Sequence, residues 1–166
     1  MITVLPVPGL PNVRPGDDLS ALLVTALAKA DIHLVAGDVV TICQKVVSKA
    51  EGAIVALPDV VPSAFARRIA ERTEKDPRVV EVILQESTRI VRMDRGHLIC
   101  ETGPGWICAN AGVDASNSID ADTVVLLPRN ADRSAGILHT ALTRSCDASI
   151  GVIVTDTFGR PWREGL

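Results

Sequence analysis

The sequence predicts an α+β fold, with α/β as the alternative, in which helices cover a mixed β-sheet. Three observations lead there. Runs rich in β-branched residues at 39–43, 123–127 and 150–154 read as strands. Segments with apolar residues at helical spacing lie among them. The two kinds of segment both alternate and cluster along the chain, as a mixed sheet requires. The 166 residues suit one domain, with a core large enough to fold and too few residues for two comfortable ones.

Residues 1–7 alternate weakly and read as a first strand, closed by the turn Pro8-Gly9-Leu10-Pro11. On spacing alone that turn is punctuation that leaves backbone N–H groups exposed. Asp17 or Asp18 caps a helix whose Leu19, Leu22, Leu23, Ala26, Leu27 and Ala30 follow the i, i+3, i+4, i+7 rule. His33 falls in the link that follows. Residues 39–43 then read as a buried strand, followed directly by Gln44-Lys45-Val46-Val47-Ser48-Lys49-Ala50-Glu51-Gly52. Two lysines four apart after a strand suit a polyphosphate or carboxylate, whose charge must be neutralised where it binds. A solvated strand end is the alternative.

Pro62-Ser63 opens a helix to about Glu74, and Asp76-Pro77 opens another to about Glu86, with Arg67, Arg68, Glu71, Arg72 and Glu74 facing solvent. Residues 89–93 and 98–100 are short strands around the turn Asp94-Arg95-Gly96. Gly103-Pro104-Gly105 breaks the chain before a buried strand over 106–109. That strand runs into Asn110-Ala-Gly-Val-Asp-Ala-Ser-Asn117, which no packed core would choose. Asp114 and Asn117, three apart on a turn, could face one ligand, and such oxygen donors suit Mg²⁺ or Mn²⁺. An Asx-type turn satisfying its own backbone is the competing reading. Asp132 or Ser134 begins the last helix, with Ile137, Leu138, Ala141 and Leu142 on one side. The buried strand at 150–154 ends in a third polar cluster, Thr155-Asp156-Thr157-Phe158-Gly159-Arg160-Pro161-Trp162-Arg163-Glu164-Gly165.

Hydrophobic residues make up 47% and charged residues 22%, a globular composition that excludes wholesale disorder. Phe65, Trp106, Phe158 and Trp162 are the only aromatics, so Val, Ile, Leu and Ala must build the core. The net charge of −3, with basic residues scattered, argues against nucleic acid as a partner. No run approaches a membrane span or a signal peptide, which makes the cytoplasm the default address. Cys43, Cys100, Cys108 and Cys146 lack C-x-x-C spacing and read as reduced core thiols.

In this order, Lys45-Val-Val-Ser-Lys-Ala-Glu-Gly52, Asn110-Ala-Gly-Val-Asp-Ala-Ser-Asn117 and Asp156-Thr-Phe-Gly-Arg-Pro-Trp-Arg-Glu-Gly165 resemble the coenzyme F-420-0:γ-glutamyl ligase family. The likeness takes in Pro8-Gly9-Leu10-Pro11 and runs to the last residue. It implies the family's own α+β fold and a homodimer with sites near the subunit interface. It also implies GTP-dependent addition of L-glutamate, through a γ-linkage, to a deazaflavin coenzyme by way of an acyl phosphate. Carried over residue by residue, Asp114 and Asp156 look like metal ligands, with Thr157 on a second metal. Pro8, Gly9, Leu10, Pro11, Gln44, Lys45, Lys49 and Asn117 look like GTP contacts. The metals implied are Mg²⁺ or Mn²⁺ at two sites, with K⁺ as a further candidate. Family chains continue past residue 166, so residues 1–166 are expected to be a single, C-terminally incomplete ligase domain. Two other readings share these residues: a noncatalytic nucleotide- or metal-binding fragment, and a two-metal phosphohydrolase.

Overall fold

The computed structural model describes residues 1–94, 96–115 and 122–156. Contacts gather them into two compact units, residues 1–53 with 128–156 and residues 54–127. Both parallel and antiparallel pairing occur, distributed over three small sheets, and the α+β expectation holds.

In the first unit, α1 (Leu19–Lys29) starts at Asp18, whose carboxylate accepts from the Ala21 N–H at 3.0 Å. That bond satisfies one of the donors every helix start leaves open. Leu19, Leu23, Ala26 and Leu27 form its buried stripe. Strand β1 (Val39–Cys43) runs parallel to β7 (Gly151–Thr155), in register from Val39 opposite Gly151 to Cys43 opposite Thr155. Helix α2 (Gln44–Ala50) leaves β1 without an intervening loop. Helix α5 (Ala131–Cys146) is capped by Asn130, which accepts from the Arg133 N–H at 2.9 Å, a start slightly ahead of the Asp132 or Ser134 expected. Leu23, Leu27, Ile42, Val47, Leu138 and Leu142 close the core among these elements.

In the second unit, β2 (Ile54–Ala56) pairs antiparallel with β6 (Thr123–Val125), and β3 (Ser87–Asp94), β4 (His97–Thr102) and β5 (Ile107–Ala109) form an antiparallel sheet in that order. Helix α3 (Ala64–Thr73) is capped by the Ser63 hydroxyl, which accepts from Ala66 N–H at 3.1 Å, and α4 (Pro77–Gln85) by Asp76, which accepts from Arg78 N–H at 2.8 Å. Glu81 of α4 accepts from the Ser63 backbone N–H at 2.8 Å and so ties the start of α3 to α4. Ile69, Val80, Ile83, Leu98, Cys100 and Val124 are at the centre of the core. Burying a side chain such as Ile83 or Leu98 contributes ~2 kcal/mol each.

Four expectations need correction. Residues 1–7 carry no strand, and Ile2, Val4 and Leu5 are exposed while Val7 packs on the first core. Alternation favours a strand only where a neighbour supplies the ladder. Strands β1, β5 and β7 are not buried on both faces: Val39, Ile107 and Ile153 remain 55%, 54% and 51% exposed. The polar stretch after β1 is a helix, not a strand end. Cys43 is exposed rather than part of a core; none of the four cysteines is in a disulfide. Among the described residues, no helix is long and apolar enough to cross a membrane.

Candidate active site

A parallel pair delivers whatever follows its two strands to the same end. Because Cys43 lies opposite Thr155, Gln44 and Asp156 emerge side by side at the carboxyl edge of β1 and β7. The Thr155 hydroxyl donates to the Ile42 carbonyl at 3.3 Å and fastens that edge. In open parallel sheets this is where ligands are usually held. Lys45 and Lys49 stand one helical turn apart on α2, half-buried, so their ammonium groups share a face. Asp156 is exposed. Thus Lys45, Lys49 and Asp156 all belong to the first unit and attach to one sheet end.

Gln44 sits differently from its neighbours. Its side chain is buried, and its Oε1 accepts from the Ser48 hydroxyl at 3.0 Å, within α2. The pair packs beside Val47 and locks the inner face of the helix, which leaves the lysines on the other. At the helix end, the buried Ser134 hydroxyl is within hydrogen-bond reach of the Glu51 carboxylate and of the Asn130 carbonyl. Glu51 and Ser134 therefore couple α2 to the start of α5. Sequence reading missed that tie, because nothing local signals a contact between residues so far apart along the chain. The turn Pro8-Gly9-Leu10-Pro11 lies in the same unit; Leu10 packs against the core while Pro8, Gly9 and Pro11 are exposed, with Gly9 at φ +83°.

Asp114 belongs to the second unit. The chain enters it through Asn110, Ala111 and Gly112, at φ +54°, +52° and +74°. Two successive non-glycine residues in the left-handed region cost of order 1–2 kcal/mol each, and such strain concentrates where a fold serves a ligand. Asp114 then exchanges backbone hydrogen bonds with Val125, both at 2.9 Å, which pins the residue to β6. The residue is half-buried and its Oδ2 is shielded from solvent. The pairing of Asp114 with Asn117 lies outside the described residues, as does Thr157.

The two carboxylates are each of the donor type that a hard divalent ion takes. Asp156 in the first unit and Asp114 in the second each offer carboxylate oxygens, the donor type that Mg²⁺ takes together with water and substrate phosphate. Among the described residues, no three His, Cys, Asp or Glu side chains gather into a self-sufficient metal cage.

These features define an α+β protein whose first unit brings two lysines and a carboxylate to one strand end and whose second unit carries a carboxylate just after a strained turn. The cations and carboxylate at the β1–β7 edge suit a phosphate-bearing ligand with a divalent ion. The chain belongs to the F420-0:gamma-glutamyl ligase family, whose model matches residues 9–166. It is 48% identical over 165 residues to the coenzyme F420:L-glutamate ligase of Methanopyrus kandleri, covering 99% of this chain and 63% of that protein. It is 43% identical over 164 residues to the protein of the same name from Methanothermobacter thermautotrophicus, covering 99% of this chain and 65% of the relative. The chain thus spans just under two thirds of the length of these relatives.

Proposed function

We propose that this protein adds L-glutamate through a γ-linkage to a deazaflavin coenzyme, using GTP and divalent metal, with an acyl phosphate between the two half-reactions. The observation that carries the reading is the shared carboxyl edge of β1 and β7, which brings Lys45 and Lys49 on α2 to the strand end from which Asp156 emerges. Membership of the family, and the ligase names of its relatives, support the substrates.

In this reading the coenzyme's terminal carboxylate attacks the γ-phosphorus of GTP, and GDP leaves. The amine of glutamate then attacks the acyl carbon, loses a proton and expels phosphate as the amide forms. No covalent bond to the protein is needed, so positioning and charge neutralisation are the chain's share of the catalysis. Lys45 and Lys49 offer ammonium N–H donors to phosphate oxygens, and the Gln44–Ser48 and Glu51–Ser134 contacts hold α2 so that both lysines face one way. Pro8, Gly9, Leu10 and Pro11 would line the nucleotide, with the Gly9 and Leu10 N–H groups as the donors of that turn. Asp114, Asp156 and Thr157 would hold the divalent ions, with Asn117 beside the nucleotide. When bound, the metal would neutralise charge on the transferring phosphoryl group and orient it. A homodimer and a cytoplasmic location belong to the same reading.

Incubating the protein with GTP, Mn²⁺, L-glutamate and the deazaflavin tests it. Glutamylated coenzyme, GDP and phosphate in equal amounts are expected. GDP and phosphate without the amide would favour a phosphohydrolase, and nucleotide binding without turnover a noncatalytic module; either overturns the proposal.

A further inference from the structure

Cys100 of β4 and Cys108 of β5 are directly opposite each other in an antiparallel pair. Residues so paired point to the same face of the sheet, and here both point inward: Cys100 is 0% exposed and Cys108 6%, while the intervening register position Ile107 is 54% exposed. The hydrogen-bond parity fixes their spacing. Thr102 N–H donates to the Trp106 carbonyl at 2.9 Å and Trp106 N–H donates to the Thr102 hydroxyl at 3.1 Å, so Thr102 and Trp106 occupy a hydrogen-bonded position of the ladder. Two residues further along, Cys100 and Cys108 have the same parity, for which Cα atoms are ~5.5 Å apart. That lies within the roughly 4.4–6.8 Å between Cα atoms that a disulfide spans, while the Cβ atoms, about 5.5 Å apart at this parity, must close by about 1 Å, a shift that falls on the short edge strand β5. Cys43 and Cys146 belong to the other unit.

We propose that Cys100 and Cys108 are a modification site, a dithiol that closes to a cross-strand disulfide when a low-molecular-weight disulfide oxidises it. In the first step, the Cys108 thiolate attacks one sulfur of the reagent, releasing one small thiol and leaving a mixed disulfide. Cys100 then gives up its proton and attacks the Cys108 sulfur, which expels the second small thiol. Two protein thiols are oxidised and one reagent disulfide is reduced to two thiols, so electrons and protons balance. Cys108 reacts first for structural reasons. It lies on the three-residue edge strand beside the exposed Trp106 and Ile107, which can fray without disturbing β3 and β4. Cys100 is enclosed in the core, and burial raises its thiol pKa, which suits a resolving thiol more than an attacking one. Closure pins β5 to β4 two residues ahead of the strained turn at Asn110. The inference is independent of the ligase reading.

The test uses the wild-type protein, so no variant needs to fold. After exposure to excess 2-hydroxyethyl disulfide at pH 8.5 and alkylation of remaining thiols, non-reducing digestion and mass spectrometry should find one linked peptide pair, Cys100 with Cys108. Dithiothreitol should reverse it, and Cys43 should carry only reagent or alkyl label. Cys100 and Cys108 both alkylated, both left as mixed disulfides, or linked to Cys43 or Cys146 instead, would overturn the proposal.

Discussion

Replacing Gly112 with alanine should be among the most damaging single-methyl changes in the protein. At φ +74° the backbone disfavours any side chain, which costs of order 1–2 kcal/mol. The new Cβ would also run into Leu127, with Cδ1 at 2.6 Å, Cδ2 at 2.8 Å and Cγ closer still. No ordinary contact is that short, and because Cγ is involved, rotating the tip of the side chain does not clear it. Overpacking of this kind costs roughly 1–3 kcal/mol. The sum is about 3 kcal/mol, which at a denaturant slope of about 2 kcal/mol/M shifts the urea midpoint of the second unit by about 1.5 M. A double-mutant cycle separates the two causes. In a Leu127→Ala background the clash is gone, so Gly112→Ala should cost only the backbone share, about half as much. A midpoint within about 0.25 M of wild type would refute the steric reasoning, as would equal costs in both backgrounds.

Other outcomes follow from the same geometry. Lys49→Ala should raise the GTP dissociation constant about tenfold with an unchanged melting temperature, since a cation at a phosphate contributes charge-assisted bonds and little packing; titration calorimetry beside a thermal melt reads both. Asp114→Asn should weaken Mn²⁺ binding at least about tenfold, because each decade of lost affinity is ~1.4 kcal/mol and the amide removes the ligand's charge; unchanged affinity would return the loop to a structural turn. The Arg78 guanidinium lowers the Asp76 pKa, and the Ser63 backbone N–H lowers that of Glu81. Both carboxylates therefore stabilise the fold above their unfolded values of about 4. That contribution should fade as pH falls below 4 through the lowered folded values, and Asp76→Asn should flatten this part of the stability profile.

Local chemistry was the legible part of the sequence. Asp18, Ser63 and Asp76 announce helix starts because an unpaired N–H at a helix end requires an acceptor at a set offset, and the Asp-Arg-Gly signal in the sequence announces the antiparallel pairing of β3 with β4. Helix α2 was hidden by its two valines, which favour strands. Its helical signal is the buried Gln44, Val47 and Ser48 at i, i+3 and i+4, polar at two of three positions and so invisible to an apolar pattern. Strand β2, three residues long, is defined by its pairing with β6, a long-range fact with no local mark. For the candidate site, the lysines and both aspartates stood out as polar groups next to apolar runs. The inward turn of Gln44 and the Glu51–Ser134 contact depend on tertiary packing and could not be read from spacing.

The most direct measurement of the ligase account follows an oxygen atom. The deazaflavin, labelled with ¹⁸O in both oxygens of its terminal carboxylate, is turned over with GTP, L-glutamate and Mn²⁺, and the released phosphate is analysed by mass. If the carboxylate attacks phosphorus and the amine later breaks the acyl bond, each phosphate carries one ¹⁸O and the amide retains the other. Unlabelled phosphate would mean that water attacked the phosphorus, and the acyl-phosphate reading would be contradicted.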